Sequence, residues 1–250
     1  MPTTELDGLI AELDNWPAAD PATFWWRDDD AVGPSDALDR LLEVSRGRPL
    51  ALATVPFEAT AVLAARLDRE KHVVIFQHGW RHQNHAAEGP NSEYPAGRSL
   101  REVAQELAEG RTKLTGLFGP RFVPVFTPPW HGFDASYVPL LEAAGLRALS
   151  VKGRRPDPTI GGVPQNNVHC VPILWADPPG FGDPAHYIGQ LVQHLKQRRG
   201  GRDRAEATGI LTHHLVQTPQ SLEFVRCVLD VITTHPSARL VDPVELFFGR

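Results

Sequence analysis

The sequence predicts an α/β fold: a parallel sheet closed into a (β/α) barrel and covered by helices. Three observations carry this. Runs rich in β-branched and aromatic residues alternate with helical patterns about eight times along the 250 residues, the signature of parallel strands joined by crossover helices. No linker or shift in composition divides the chain, so residues 1–250 read as one domain. Polar clusters follow several different strands. Barrels gather their site residues at strand C-termini, which favours a barrel over an open doubly wound sheet.

The elements follow in order. A short acidic helix spans about 5–14. The aromatic run 23–28 is a strand ending in acid. Pro34–Ser35 opens a helix that closes on Gly47, with apolar positions 38, 41, 42 and 44 at helical spacing. A buried strand at 50–55 and an Ala/Leu helix at 58–70 lead to strand 72–77, which runs into His78. Ser99, with Glu102 three positions on, has the capping-box pattern for a helix over 99–117. Then come strand 122–127, helix 134–144 stopped by Gly145, strands 146–151 and 168–175, helix 184–198, strand 209–214, a helix from Pro219 to about Thr234, and strand 239–242 with a helical tail. The stretches 78–98 and 152–167 lack periodicity. Loops that long in a compact domain are usually functional or mobile, and both would lie at one barrel mouth.

Composition removes several classes. A net charge of −5 leaves no basic footprint for nucleic acid; the one basic run, Lys196 to Arg204, reads as a solvated loop. No apolar run approaches the roughly 20 residues that span a bilayer, so no membrane partner is expected. Cys170 and Cys227 lie far apart in apolar runs and read as reduced thiols rather than a disulfide framework or a cysteine zinc site. The opening MPTTELDGLIAELD lacks a basic start and apolar core, and a cytoplasmic location is expected.

Four constellations carry chemistry. Arg27-Asp28-Asp29-Asp30 places three carboxylates in a row, which raise one another's pKa unless a cation compensates; the plain alternative is a solvated turn. In HGWRHQNH (78–85), the i, i+4 spacing lets His78 and His82 face one ion from a single helical turn, with His85 less well placed. FTPPWHGF (126–133) makes a rigid aromatic wall followed by His131. In ILTHHL (210–215), His213 and His214 alternate faces, so one points into a site and one away. One carboxylate and two imidazoles form a three-ligand set with positions left for water and substrate. A second carboxylate can act as general base and a separate His as general acid. This is the equipment of metal-assisted hydrolysis of an amide or ester.

In this order the motifs resemble the polysaccharide deacetylases with NodB homology, carbohydrate esterase family 4 and its distant relatives. The resemblance rests on Asp29-Asp30, His78-Gly-Trp-Arg-His82, Thr127-Pro-Pro129-Trp130 and Leu211-Thr-His213, and covers about residues 23 to 215. It implies a deformed (β/α) barrel of seven or eight strands and a divalent metal, zinc foremost with cobalt or nickel as alternatives. It also implies removal of an N-acetyl or related acyl group from a carbohydrate. Carried over, Asp29 is the base, Asp30, His78 and His82 the metal ligands, and His213 the acid, with Pro129, Trp130 and His131 beside the substrate and a backbone amide near Trp130 on the oxyanion.

The chain departs from the pattern at several points. With three Asp in a row, Asp28-Asp29 is an alternative register. Thr127 stands where the family has the Arg that orients the base, a charge that Arg27 would supply. Gly79 replaces a Ser or Thr, and His214 an acidic residue. These changes mark a divergent branch. A small-molecule or oligosaccharide substrate is expected, and the expected location favours an intracellular glycan precursor or conjugate over a cell-wall polymer. The competing expectations are a sugar-binding pseudoenzyme on the same fold, and a metallohydrolase of another C–N amide bond.

Overall fold

A computed structural model describes residues 6–249. Helix α1 (Asp7–Leu13) matches the expected acidic helix; Glu5, where that helix was expected to start, lies outside the described residues. The rest is an α/β succession: β1 (Ala22–Ala31), α2 (Asp36–Ser45), β2 (Leu50–Thr54), α3 (Ala61–Arg66), β3 (Val73–His78), α4 (Leu100–Phe118), β4 (Phe122–Thr127), α5 (Val138–Ala143), β5 (Ala148–Leu149), the small hairpin β6 (Thr159–Ile160) and β7 (Val163–Pro164), α6 (Pro184–Arg199), β8 (Thr208–Thr212), α7 (Pro219–Thr234), β9 (Ala238–Leu240) and α8 (Pro243–Phe248). The main sheet runs β5-β4-β3-β2-β1-β8, with β9 pairing the start of β1. Every pairing in it is parallel.

The expected barrel is present in deformed form, because one expected strand is not a strand. Residues 168–175 make no ladder. The stretch from Gln165 to Cys170 instead bridges the two sheet edges bond by bond. The Asn166 and Val168 amides donate to Leu149 and Val151 carbonyls, and the His169 and Cys170 amides to the Gly209 carbonyl. A segment shared between two edges cannot pair continuously with either, and Pro172 has no N–H to extend it. Closure needs Gly209: a Cβ there would overlap the Asn167 carbonyl oxygen and lie 2.6 Å from Trp25 Nε1.

Other expectations shift less. The helix expected at 58–70 is only Ala61–Arg66, and that at 134–144 divides into a 3₁₀ turn (Ala135–Tyr137) and α5. Ser35 caps α2 by accepting from the Leu38 amide. Ser99 makes no such bond at α4, and Glu102 is exposed, so the capping box does not form. The basic run is not wholly solvated either. Arg198 is buried on α6, its guanidinium spread over the Thr23 and Arg204 carbonyls and the Thr208 hydroxyl. Cys170 and Cys227 are unpaired. Among the described residues no helix is long and apolar enough to cross a membrane.

The two-residue period of the strands sorts side chains into two cores. Phe24, Trp26, Leu50, Leu52, Val73 and Ile75 face the helices. Trp25, Ala51, Ala53, Phe76, Val125 and Leu211 fill the barrel interior, where Phe247 from α8 packs edge-on against Trp25 and Phe76 at 5.5 and 5.6 Å. The small Ala51 and Ala53 make room for the large Trp25 and Phe76, so the interior is packed rather than hollow.

Candidate metal and catalytic site

The same period decides which polar residues reach the mouth. Continuing inward from Trp25 brings Arg27 and Asp29; from Phe76, His78; from Leu211, His213. Asp28 falls on the outer side of β1. Its carboxylate accepts from the Thr212 hydroxyl (2.6 Å) and the His214 amide (3.0 Å) and pairs with the His214 ring. His214 thus points away from the site and His213 toward it, as the alternation requires.

By the same period Asp30 would join Asp28 outside. It does not, because the β1–β2 register shifts between Asp28 and Ala31 and Asp30 takes a left-handed φ of 72°. Bulges re-aim side chains in this way, and Asp tolerates that conformation better than most residues. Asp29 and Asp30 therefore both line a cavity of about 370 Å³, with His78, His82, Trp130, His131, Lys152, Val171, Trp175 and His213. A larger depression of about 510 Å³ lies along α6, but it gathers no carboxylate–imidazole cluster.

Arg27 and Asp29 form a buried two-point pair, Nε to Oδ1 at 2.7 Å and Nη2 to Oδ2 at 3.0 Å. Arg27 Nη1 also donates to Ser150 Oγ at 2.8 Å and to the Ser150 carbonyl. Burial pushes the Asp29 carboxyl up, but Arg27, aided by His78, His213 and His131, outweighs it and holds the pKa below the ordinary value. Asp29 is ionised at neutral pH and fixed in orientation.

His78 ends β3 opposite Thr127. Its Nδ1 lies 2.9 Å from the Thr127 carbonyl oxygen, which can only accept, so Nδ1 carries the proton. With Nδ1 committed to that carbonyl, Nε2 faces Asp30 Oδ1 at 3.0 Å, and His82 Nε2 lies 3.2 Å from the same oxygen. Two ring nitrogens and a carboxylate oxygen converging at that distance are held by ring protons or by a metal ion that replaces them. Orientation of a ligating His by a carbonyl on its other nitrogen is the usual support of a metal site. The donor set fits a divalent ion with nitrogen and oxygen preferences. Burial pushes the Asp30 carboxyl up, yet its hydrogen bonds to His78 and His82 bring it well below the carboxylate range.

The four-residue spacing does not work through a helical turn, as the sequence suggests. His78 is the last residue of a strand, Gly79 turns the chain at φ 57°, and His82 is itself left-handed at φ 54°. The turn is held by the buried Glu93 carboxylate, which accepts from the Trp80 and Arg81 amides at 3.2 and 2.7 Å. A Cβ on Gly79 would overlap Glu93 Oε2 and approach Pro129 Cδ to 2.7 Å, which explains the glycine where the family pattern has Ser or Thr. His85 is exposed and outside the ligand cluster.

Trp130 and His131 follow β4 with φ 53° and 62°. Trp130 packs over His82 at 4.3 Å and is 37% exposed, one wall of the mouth. Pro129 is buried behind that wall and braces Gly79 rather than lining the cavity. Burial, reinforced by Arg27, pushes His131 down to about 3, so its ring is neutral. Burial likewise lowers His213 despite the nearby carboxylates. Trp175, 58% exposed, stands edge-on to His213 at 5.1 Å and forms the other wall. Sequence reasoning missed Glu93, Lys152, Val171 and Trp175. Lys152 had a signal, since it opens an aperiodic loop after a strand; Trp175 was hidden in an expected strand.

A second buried cluster, His169, His194 and Glu206, has ligand-like spacing. It lies at the opposite end of the barrel, where the Gly209 amide donates to His169 Nδ1 at 2.9 Å. That bond leaves the proton of the neutral ring on Nε2, facing Glu206 Oε1 at 3.3 Å. The two rings stack at 3.4 Å and 16°, so their in-plane lone pairs run side by side instead of converging. The cluster is therefore structural, and it yields a pH prediction. Burial, reinforced by His194 and outweighing Glu206, pushes His169 down to about 4. The unfolded chain binds the proton more readily, so stability is lost as pH falls from about 6.5 toward 4, by about 3 kcal/mol in all. Urea denaturation of His169→Gln should show a shallower loss across that window than the parent; parallel curves would remove this assignment.

The curled parallel sheet that carries this Asp–His–His cluster at its mouth has the deformed-barrel fold of solved polysaccharide deacetylases. No protein-family profile and no curated protein matches the chain. Solved structures do. A candidate polysaccharide deacetylase from Mycobacterium smegmatis superposes with a TM-score of 0.68 at 15% identity, over 93% of this chain and 91% of that one. A family 4 acetyl xylan esterase from Clostridium thermocellum, in complex with a cobalt ion, gives 0.54 at 18% identity over 90% of both chains. A mutant of a carbohydrate esterase family 4 pseudoenzyme, with restored enzymatic activity, gives 0.56 at 13% identity over 92% of this chain and 69% of that one. At such identities the likeness establishes the fold; the chemistry has to be argued from the site.

Proposed function

We propose that this protein is a metal-dependent hydrolase that removes an N-acetyl or related acyl group from an amino sugar or similar small glycan. The observation that carries the reading is the convergence of His78 Nε2 and His82 Nε2 on Asp30 Oδ1, with Asp29 fixed beside them by Arg27. Asp30, His78 and His82 would hold the ion, zinc first by its preference for such a set, with cobalt or nickel able to replace it. When bound, the ion supplies Lewis acidity that polarises the acyl carbonyl and acidifies water.

The chain's own groups do the rest. Asp29, ionised and held by its two-point pair with Arg27, takes the proton of the attacking water. The Trp130 amide, unlike the next two not spent on a Pro128 or Pro129 carbonyl, donates to the developing oxyanion. His213, on the far wall, gives a proton to the leaving amine. Trp130 and Trp175 offer apolar faces to a sugar ring and exclude water above it. The free Cys170 and Cys227 fit a reducing compartment.

The test is acetate release from N-acetylated mono- and oligosaccharides by the metal-loaded protein. Asp29→Asn should lower kcat by about 10²- to 10⁴-fold with the bound metal retained. One observation favours a second reading. Thr127 lacks the guanidinium that the family pattern places there, which suits a sugar-binding pseudoenzyme. Saturable glycan binding without acetate release from any N-acyl substrate would select it; release of another amide's acid would select a different C–N hydrolase.

A further inference from the structure

Resting on this deacylase reading, we propose that Lys152 makes the site selective for substrates bearing an anionic group, a carboxylate or phosphate on the sugar that carries the acyl amide. Each other fixed charge at the cavity is already answered. Asp29 is neutralised by Arg27, and Asp30 is the carboxylate that a divalent ion would neutralise. Lys152 alone lines the cavity as an exposed cation that makes no salt bridge or side-chain hydrogen bond among the described residues. Its backbone is not loose: Lys152 bridges Val168, and the Gly153 amide donates to the Val168 carbonyl at 2.8 Å. Lys152 thus joins the cavity lining from the closing seam of the barrel, as Val171 and Trp175 do.

With the ion in place the mouth carries a net positive charge held in a partly desolvated cleft, where unlike charges attract more strongly than in open water. A neutral sugar leaves that lysine unpaired. An anionic sugar pairs with it while its ring rests on the tryptophan walls. The lysine is a flexible point charge rather than a planar fork, so it accepts phosphate and carboxylate alike.

The experiment is isothermal titration of the metal-loaded protein with N-acetylglucosamine, N-acetylglucosamine 6-phosphate and N-acetylmuramic acid, paired with acetate-release kinetics. An exposed ion pair predicts about 2- to 5-fold tighter binding of at least one anionic sugar than of the neutral one, weakening as salt rises. In Lys152→Gln the ratio should fall toward one, and Lys152→Arg should restore it. Equal affinities in the parent overturn the proposal. So does a preference that persists in Lys152→Gln, which would make the ion the anion receptor. The tighter of phosphate and carboxylate identifies the group. Lysine-dependent binding without acetate release sinks the hydrolase reading and leaves this one standing; acetate release with no charge preference does the reverse.

Discussion

Replacing His78 and His82 together by Ala should empty the metal site and abolish hydrolysis. Elemental analysis of the parent, loaded with zinc, should find about one ion per chain, consistent with a three-ligand set; the double variant should retain almost none after dialysis. The physical argument is the donor arithmetic at Asp30 Oδ1. Two imidazole nitrogens approach it at 3.0 and 3.2 Å, and without them one partly exposed carboxylate is left, far too weak to hold a divalent ion against water. His85→Ala is the control. His85 is exposed and outside the cluster, so its loss should leave the stoichiometry unchanged. A parent that binds no zinc, cobalt or nickel would defeat the metallohydrolase reading and favour a binding protein on the same barrel.

Arg27→Ala carries the next largest effect, because it acts on stability and chemistry together. The guanidinium and the Asp29 carboxylate are both buried. Removing one partner leaves an uncompensated charge in the interior, which costs about 3–5 kcal/mol. Chemical denaturation of metal-free protein should show that loss. Asp29→Ala in the same chain should recover part of it, since the stranded charge is then gone. In the loaded protein kcat should fall even where the fold survives, because Asp29 loses the fork that aims it. Lys is not expected to substitute: a single ammonium cannot reproduce the two-point contact with Asp29 and the bond to Ser150. Arg27→Ala with unaltered stability and turnover would refute the positioning role.

Much of this was legible in the chain. Alternation of β-rich and helical runs specified a parallel α/β barrel, and α4, α6 and α7 fall within a residue of the expected bounds. The two-residue period alone sends Arg27 and Asp29 inward with Trp25, His78 with Phe76, and His213 opposite to His214. Those are local consequences of strand geometry, so a sequence can carry them.

What the tertiary structure decided is where local rules break. Asp30 shares a face with Asp29 only because β1 bulges against β2, and no residue near it announces the register shift. His78 and His82 meet through a glycine turn held by Glu93, a carboxylate eleven residues beyond His82 whose role depends on two amides it reaches in space. Residues 168–170 read as the start of a strand but, together with 165–167, close the barrel piecemeal, and that closure puts Lys152, Val171 and Trp175 at the mouth. The sequence by itself determined which strands exist and which faces they bury, since propensity and period are short-range. Only the fold decided which carboxylate joins which imidazole, since that depends on register, turn conformation and closure, each set by contacts between segments far apart in the chain.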